Sequence, residues 1–270
     1  MIERLDRVWD LIVVGTGMGG GTLGRAMAER GRSVLFIEKG RQGYRNEQQG
    51  LSPFVTDPAA RMVRGYWPEP VDSTVNGQTQ SLYAPLGCGV GGSSVFYAGT
   101  LEPPEPRDLD HSPACPHPTG GWPFSWSSFS PWIGAAAAMY DIHGGPEHAA
   151  EGRDHQAHRP LSDEDRAIME RLRANGCRPY ALGSAVERED GCLSCLGTKC
   201  PRRCKMDARS AGVEPALATG HAELLDQCDV TAVRGASGRV THVEGVRLGQ
   251  RLELRARQFV IAAGALNSPR

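Results

Sequence analysis

The sequence predicts an α/β fold built on a parallel sheet, and three observations in its first forty residues predict it. Leu11 to Val14 is a short apolar, β-branched run, the pattern of a buried strand. Gly15-Thr16-Gly17-Met18-Gly19-Gly20 follows at once and opens a stretch of helical composition, Met18 to Arg30, which Gly31 ends. Ser33 to Ile37 is a second apolar strand, closed by Glu38. Strand, glycine turn, helix and strand in this order make a unit whose two strands lie side by side and parallel.

The spacing G-x-G-x-x-G gives each glycine a task. Gly15 permits the tight turn, Gly17 lets the backbone approach a pyrophosphate, and Gly20 lets the helix pack close to the strand. The helix N-terminus offers N–H groups and a positive dipole end to phosphates. Glu38, about 20 residues on, is placed to accept hydrogen bonds from a ribose diol, and in this context the motif, Thr16 included, reads as a dinucleotide fingerprint on a Rossmann-type domain. A carboxylate there repels a 2′-phosphate and so argues against NADP. FAD and NAD both remain open on these residues alone.

Bulk properties narrow the rest. A length of 270 residues suggests about two domains. With 30 basic and 31 acidic residues the net charge is −1, so there is no electrostatic case for nucleic acid or an anionic membrane. No run approaches the ~20 apolar residues of a membrane span. The start, MIERLDRVWD, is charged and has no apolar signal core, so a cytoplasmic protein is expected. Eight cysteines in such a protein suit free, metal-bound or redox-active thiols better than a disulfide framework.

Further along, Gly40 to Gln80 is polar, with Pro53, Pro58, Pro68 and Pro70 breaking any long element, and Arg41, Arg45 and Glu47 read as solvated surface. Leu86 to Pro103 is a second glycine-dense stretch. Gly87, Gly89, Gly91 and Gly92 let a backbone lie flat against a ligand, and Ser93 and Ser94 can cap a helix or bond a phosphate. His111, Cys115 and His117 fall in a proline-stiffened loop, and His143, His148, His155 and His158 in a surface loop. Leu161 to Asn175 reads as a helix with Ser162 as N-cap, acids in its first turn, and Ile168, Met169 and Leu172 facing the core. Ala211 to Gly220 suggests a short helix. Leu224 to Val233, Val240 to Leu248 and Leu252 to Val260 read as strands, with a turn at Gly235 to Gly238.

Cys192, Cys195, Cys200 and Cys204 form C-x2-C-x4-C-x3-C. Four thiols so close suit one metal ion or an iron–sulfur cluster, since thiolates ligate both. Lys199, Arg202, Arg203 and Lys205 would offset the charge of such a cluster. Disulfides or free thiols are the other reading, and the spacing leaves all of these open.

The Asp10–Gly40 segment, followed by Gly87-Cys88-Gly89-Val90-Gly91-Gly92-Ser93-Ser94, resembles the glucose–methanol–choline (GMC) family of flavin oxidoreductases. Gly121-Trp122-Pro123, Phe129-Ser130-Pro131-Trp132 and the closing segment Phe259 to Pro269, with Ala263 and Gly264, resemble further segments of that family. The resemblance implies FAD rather than NAD, with the second glycine segment along the pyrophosphate and flavin, Val230 against the adenine, and the closing strand and turn back at the FAD site. Some members carry a His after the paired serines that links FAD covalently; Val95 stands there, so non-covalent FAD is implied. Cys88 falls near the flavin and reads as a small buried thiol. In some dehydrogenase branches a cysteine-rich segment near this place goes with an iron–sulfur centre, while other relatives hold no cluster.

The implied organisation is a first part of the FAD-binding domain (1–110), an irregular insertion carrying the cysteines (111–204), and a second part with a β-meander and return strand (205–270). The family's catalytic His base and its substrate domain lie downstream of the segments matched, so the C-terminal substrate domain is expected to be absent and no catalytic residue is named. The implied reaction is oxidation of a small-molecule alcohol by hydride transfer to flavin, with the electron acceptor open. A fragment, a truncated reading frame, or one half of a split enzyme needing a partner half are the expected contexts.

Overall fold

A computed structural model describes residues 7–47, 54–144, 161–192 and 195–269. Pro53, His148, His155 and His158, read above as loop, lie outside them. In chain order the elements begin with β1 (Val8–Val14), α1 (Met18–Ala28), β2 (Val34–Ile37), α2 (Pro58–Arg64), β3 (Val71–Val75) and β4 (Gln78–Leu82). Next come α3 (Pro106–Leu109), α4 (Trp126–Met139), α5 (Asp163–Ala174) and α6 (Glu214–Ala218). The chain closes with β5 (Ala222–Leu225), β6 (Cys228–Ala236), β7 (Arg239–Arg247), β8 (Gln250–Ile261) and α7 (Gly264–Asn267). Two units result, one from 1–97, 195–203 and 207–270, the other from 98–194 and 204–206.

The first unit is the expected Rossmann-type α/β layer. Its sheet runs β5-β2-β1-β8-β7-β6. β5, β2, β1 and β8 pair in parallel, and β8, β7 and β6 form an antiparallel meander. Alternation along the strands fills both faces, as a covered parallel sheet requires. Ile12, Val14, Leu35 and Ile37 join Leu225, Val243 and Leu254 on one face. Leu11, Val13, Val34 and Phe36 join Ala28, Val213 and Ala216 on the other.

The structure corrects several expectations. The strand expected over Leu224–Val233 is two strands, broken at Asp226-Gln227, where Gln227 has φ 54°. β5 extends the parallel layer while β6 enters the meander. The kink is held because Gln227 N donates to Gly40 O (2.9 Å) and Arg247 Nε to Asp226 O (2.8 Å). The polar stretch from Gly40 to Gln80 is not all loop. Asp57 accepts from Ala60 N (2.8 Å) and caps α2. Asn76-Gly77, with φ 52° and 77°, forms the two-residue turn that joins β3 to β4.

The helix expected from Ala211 starts earlier, as one π-helical turn over Ala208–Val213 that leads into α6. Pro215 explains the register. It has no N–H for the carbonyl of Ala211, and Arg25 Nη1 donates there instead at 2.8 Å. α1 lies close on this turn because Gly21 and Gly212 meet: a Cβ at Gly212 would stand 2.7–2.9 Å from the Gly21 backbone.

In the second unit, Ser162 caps α5 through Asp165 N (3.0 Å), as its sequence implies. Its apolar side chains do not face a core: Ile168 is 56% and Leu172 41% exposed. Seven of its twelve residues are charged, so the helix has no wide apolar face to bury, and Ile168 and Met169 instead border an open cavity of about 430 Å3. No helix among the described residues is long and apolar enough to cross a membrane.

Candidate functional site

The first glycine turn, Glu38, the second glycine segment and the end of β8 meet at the carboxyl end of the parallel strands. β1 ends at Val14, and Gly15, at φ 97°, turns the chain with its N–H on Ile37 O (2.8 Å). A Cβ on Gly15 would stand 2.3 Å from Ala262 O, so the end of β8 presses on the turn and brings Ala263 and Gly264 beside it. Ala262 N donates to Val14 O at 2.8 Å. A Cβ on Gly20 would meet Gly15 O at 2.1 Å. Gly17 begins α1 with no side-chain cap, and beyond Gly17 and Gly19 a Cβ would meet nothing within 4 Å. Two glycines therefore exist for close packing and two face open space at a helix N-terminus.

The second glycine segment lies against the first. A Cβ on Gly92 would stand 3.1 Å from Gly17 Cα. Ser93 and Ser94 hold this segment in shape. Ser93 Oγ accepts from Gly87 N (2.9 Å), and Ser94 Oγ donates to Gly91 O (2.6 Å) and accepts from Ala208 N (2.9 Å). A 3-10 turn over Gly92–Phe96 follows, with Val95 buried inside it.

Glu38 is buried and turned inward. Its Oε2 accepts from Thr16 Oγ1 (2.5 Å) and Thr16 N (3.2 Å), and its Oε1 from Gly40 N (2.9 Å). Burial pushes its carboxyl above the ordinary range, and the hydrogen bonds from Thr16 and Gly40 oppose that shift. Val230 is partly buried against the core and pairs with Gly245 across the meander.

Cys88 is a buried thiol, as expected. Burial, with Glu38 nearby, pushes it up to about 12, and burial lifts Cys228 to about 11. In the native protein at neutral pH, a thiol reagent is expected to modify the exposed Cys115 and Cys177 and leave Cys88 and Cys228 intact until unfolding. Peptide mass spectrometry after labelling checks this.

The metal or cluster reading of the cysteines finds no support. Among the described residues no three His, Cys, Asp or Glu side chains gather so as to hold a metal ion, Cys192, Cys195, Cys200 and Cys204 included. Cys200 and Cys204 are buried. Two of the nearby cations pair with carboxylates. Lys199 Nζ lies 3.3 Å from Glu47 Oε1, and Arg203 Nε 3.3 Å from Glu214 Oε2. This also corrects the reading of Arg45 and Glu47 as solvated surface, since their side chains are only 14% and 12% exposed.

Some residues that shape the site carried no local signal. Arg209 packs its Cβ under Gly91 and donates to Gln42 O (3.0 Å), Gly43 O (3.2 Å) and Glu214 Oε1 (2.9 Å). Lys39 pairs with Asp229 (3.2 Å) and sits over the Trp67 ring (4.1 Å). Apart from Glu214, their partners lie too far along the chain for spacing to show them.

The sequence profile of the GMC oxidoreductase family matches residues 10–270. Paromamine 6'-oxidase of Streptomyces fradiae is 28% identical over 286 aligned residues, which cover 97% of this chain and 49% of that protein. The 6'''-hydroxyparomomycin C oxidase of Streptomyces lividus is 27% identical, with 97% and 49% covered. Among solved structures, pyridoxine 4-oxidase from Mesorbium loti superposes with a TM-score of 0.58 at 21% identity, covering 97% of this chain and 50% of that one. Formate oxidase from Aspergillus oryzae RIB40 gives 0.63 at 15% identity, with 98% and 47% covered. The chain thus spans about half the length of the curated relatives it matches.

Proposed function

The chain belongs to the GMC oxidoreductase family, and on that premise we propose that it is the FAD-binding half of an enzyme that oxidises an alcohol CH–OH group. The observation that carries this reading is the pair of abutting glycine segments, open at Gly17 and Gly19 beside the uncapped N-terminus of α1. The space there fits a pyrophosphate, which receives N–H groups and the positive dipole end. Gly15 and Gly20 hold the turn close enough for that approach, and Gly91 and Gly92, shaped by Ser93 and Ser94, line the opposite side. Ala263 and Gly264 close the third side. Val230 lies on the strand that leaves Glu38's edge of the sheet, where Cys228 N donates to Glu38 O (3.0 Å), and so suits the adenine end.

When bound, the flavin supplies a hydride acceptor for the carbinol carbon. The chain's part is to bind, orient and shield that group. Val95 is buried and offers no nucleophile, so FAD is held without a covalent bond. Acid denaturation of a flavin-loaded sample is expected to release all of the flavin into the supernatant. Flavin that stays with the precipitated protein would contradict non-covalent binding.

The alcohol is a small molecule. The relatives named as oxidases support an oxidation reaction. The general base and the substrate surface fall to the part of the relatives that this sequence does not span. The test is co-expression with a half equivalent to that part: alcohol-dependent flavin reduction is expected in the co-expressed complex and not with the chain alone. A chain that binds FAD but gives no activity with its partner half would favour a non-catalytic FAD-binding subunit.

A further inference from the structure

We propose that Thr16 is a positioning residue whose buried hydroxyl latches the two glycine segments to Glu38, so that they meet the dinucleotide as one preformed surface. The inference rests on the reading of this surface as the FAD site. The motif G-x-G-x-x-G asks nothing of its second position, yet Thr16 is fully buried and its hydroxyl touches three groups. A hydroxyl has one hydrogen to give and two lone pairs to receive. At 2.5 Å from Glu38 Oε2, the Thr16 hydrogen goes to the carboxylate. A lone pair receives Gly91 N–H at 3.3 Å, and Gly89 O stands alongside at 3.5 Å.

The placement gives this contact its consequence. Thr16 precedes Gly17, and Gly91 precedes Gly92, and it is Gly17 and Gly92 that abut at the open face. The latch therefore sits one residue behind the surface the ligand would touch. Glycine-rich segments lose the most backbone freedom on ordering, and a ligand that must order them binds more weakly. Gly87, Gly89, Gly91 and Gly92 belong to such a segment, and Thr16 ties it to the rigid end of β1. The same bond turns Glu38 inward, which explains why the acid at the end of β2 is held by the chain's own donors.

Thr16→Val keeps the side-chain shape and removes the oxygen. Thr16→Ser keeps the oxygen and removes the methyl group. Thr16→Ala, which adds no bulk, carries the test should the valine not fold. Two quantities are read on each variant: amide hydrogen exchange over residues 87–92 in the ligand-free chain, and FAD affinity by quenching of flavin fluorescence. In the valine and alanine variants, exchange at Gly91 and the FAD dissociation constant are each expected to rise about tenfold, the factor for one hydrogen bond, while β1 and β2 stay protected. The serine variant is expected to match the parent in both.

Parent-like exchange in the valine variant would overturn the proposal. So would a serine variant that behaves like valine, since packing of the methyl group would then be the cause. A weakened FAD affinity with unchanged exchange would place the hydroxyl on the ligand itself and also overturn it. A parent chain that fails to bind FAD would defeat the site reading, and the exchange measurement would still decide the latch.

Discussion

Gly20→Ala is expected to abolish retention of FAD and to destabilise the first unit by about 3 kcal/mol or more, the upper range for overpacking. The added methyl would stand 2.1 Å from Gly15 O and 3.1 Å from a Val13 methyl. Gly15 cannot give way, because Ala262 O lies 2.3 Å from its own missing Cβ. α1 must then lift off β1, and its N-terminus leaves the position where a pyrophosphate would meet it. By contrast, Gly19→Ala adds a methyl that meets nothing within 4 Å and is expected to fold as well as the parent. Thermal unfolding of both variants, with FAD affinity, checks the contrast.

Glu214→Ala is expected to cost about 1.5–3 kcal/mol, the usual range for losing hydrogen bonds to charged groups at a partly buried ion pair. Glu214 accepts from Arg45 (2.7 Å) and Arg209 (2.9 Å), whose side chains are 14% and 9% exposed. Without it, the buried Arg209 and the half-buried Arg45 lose their counter-charge, and the contacts that Arg209 makes beneath Gly91 loosen. The pH dependence has a definite sign. Burial acts to raise the Glu214 carboxyl, but the bonds from Arg45 and Arg209 prevail and hold it below the ordinary glutamate value of 4.5. Its contribution is therefore fully present above pH 4.5 and is lost as pH falls through the lowered value. Glu214→Gln is expected to flatten that acid limb of a urea-unfolding series. A variant whose stability falls with acid as steeply as the parent's would show that other carboxylates govern the limb.

The β1–α1–β2 unit was legible because its determinants are neighbours in sequence: apolar runs, a glycine turn and a closing acid. The abutting of Gly92 on Gly17 was legible only through family resemblance, since no local rule joins positions so far apart. The β3–β4 hairpin had a local signal in Asn76-Gly77, but its strands alternate too faintly, with Val71, Val75 and Leu82 among polar residues. The break at Asp226-Gln227 sits inside a run that reads as one strand, and long-range bonds to Gly40 and Arg247 impose it. The cysteine spacing left metal, cluster and free thiols open for a physical reason. Ligand spacing predicts a metal site only if the backbone brings the thiols together, and of the neighbouring cations Lys199 and Arg203 pair with Glu47 and Glu214. Glu38 was legible as the acid that closes β2, but the direction of its side chain depends on the hydroxyl of Thr16, which the motif treats as arbitrary.

The proposed FAD site is expected to form on this chain by itself. The most direct measurement is the absorption spectrum of the purified 270-residue protein after incubation with FAD and removal of free flavin, before and after dithionite. About one flavin per chain is expected, with the two-band oxidised spectrum bleaching on reduction and no additional broad absorbance from a metal cluster. A folded protein, shown so by its circular dichroism, that retains no flavin at any concentration of FAD would contradict this expectation.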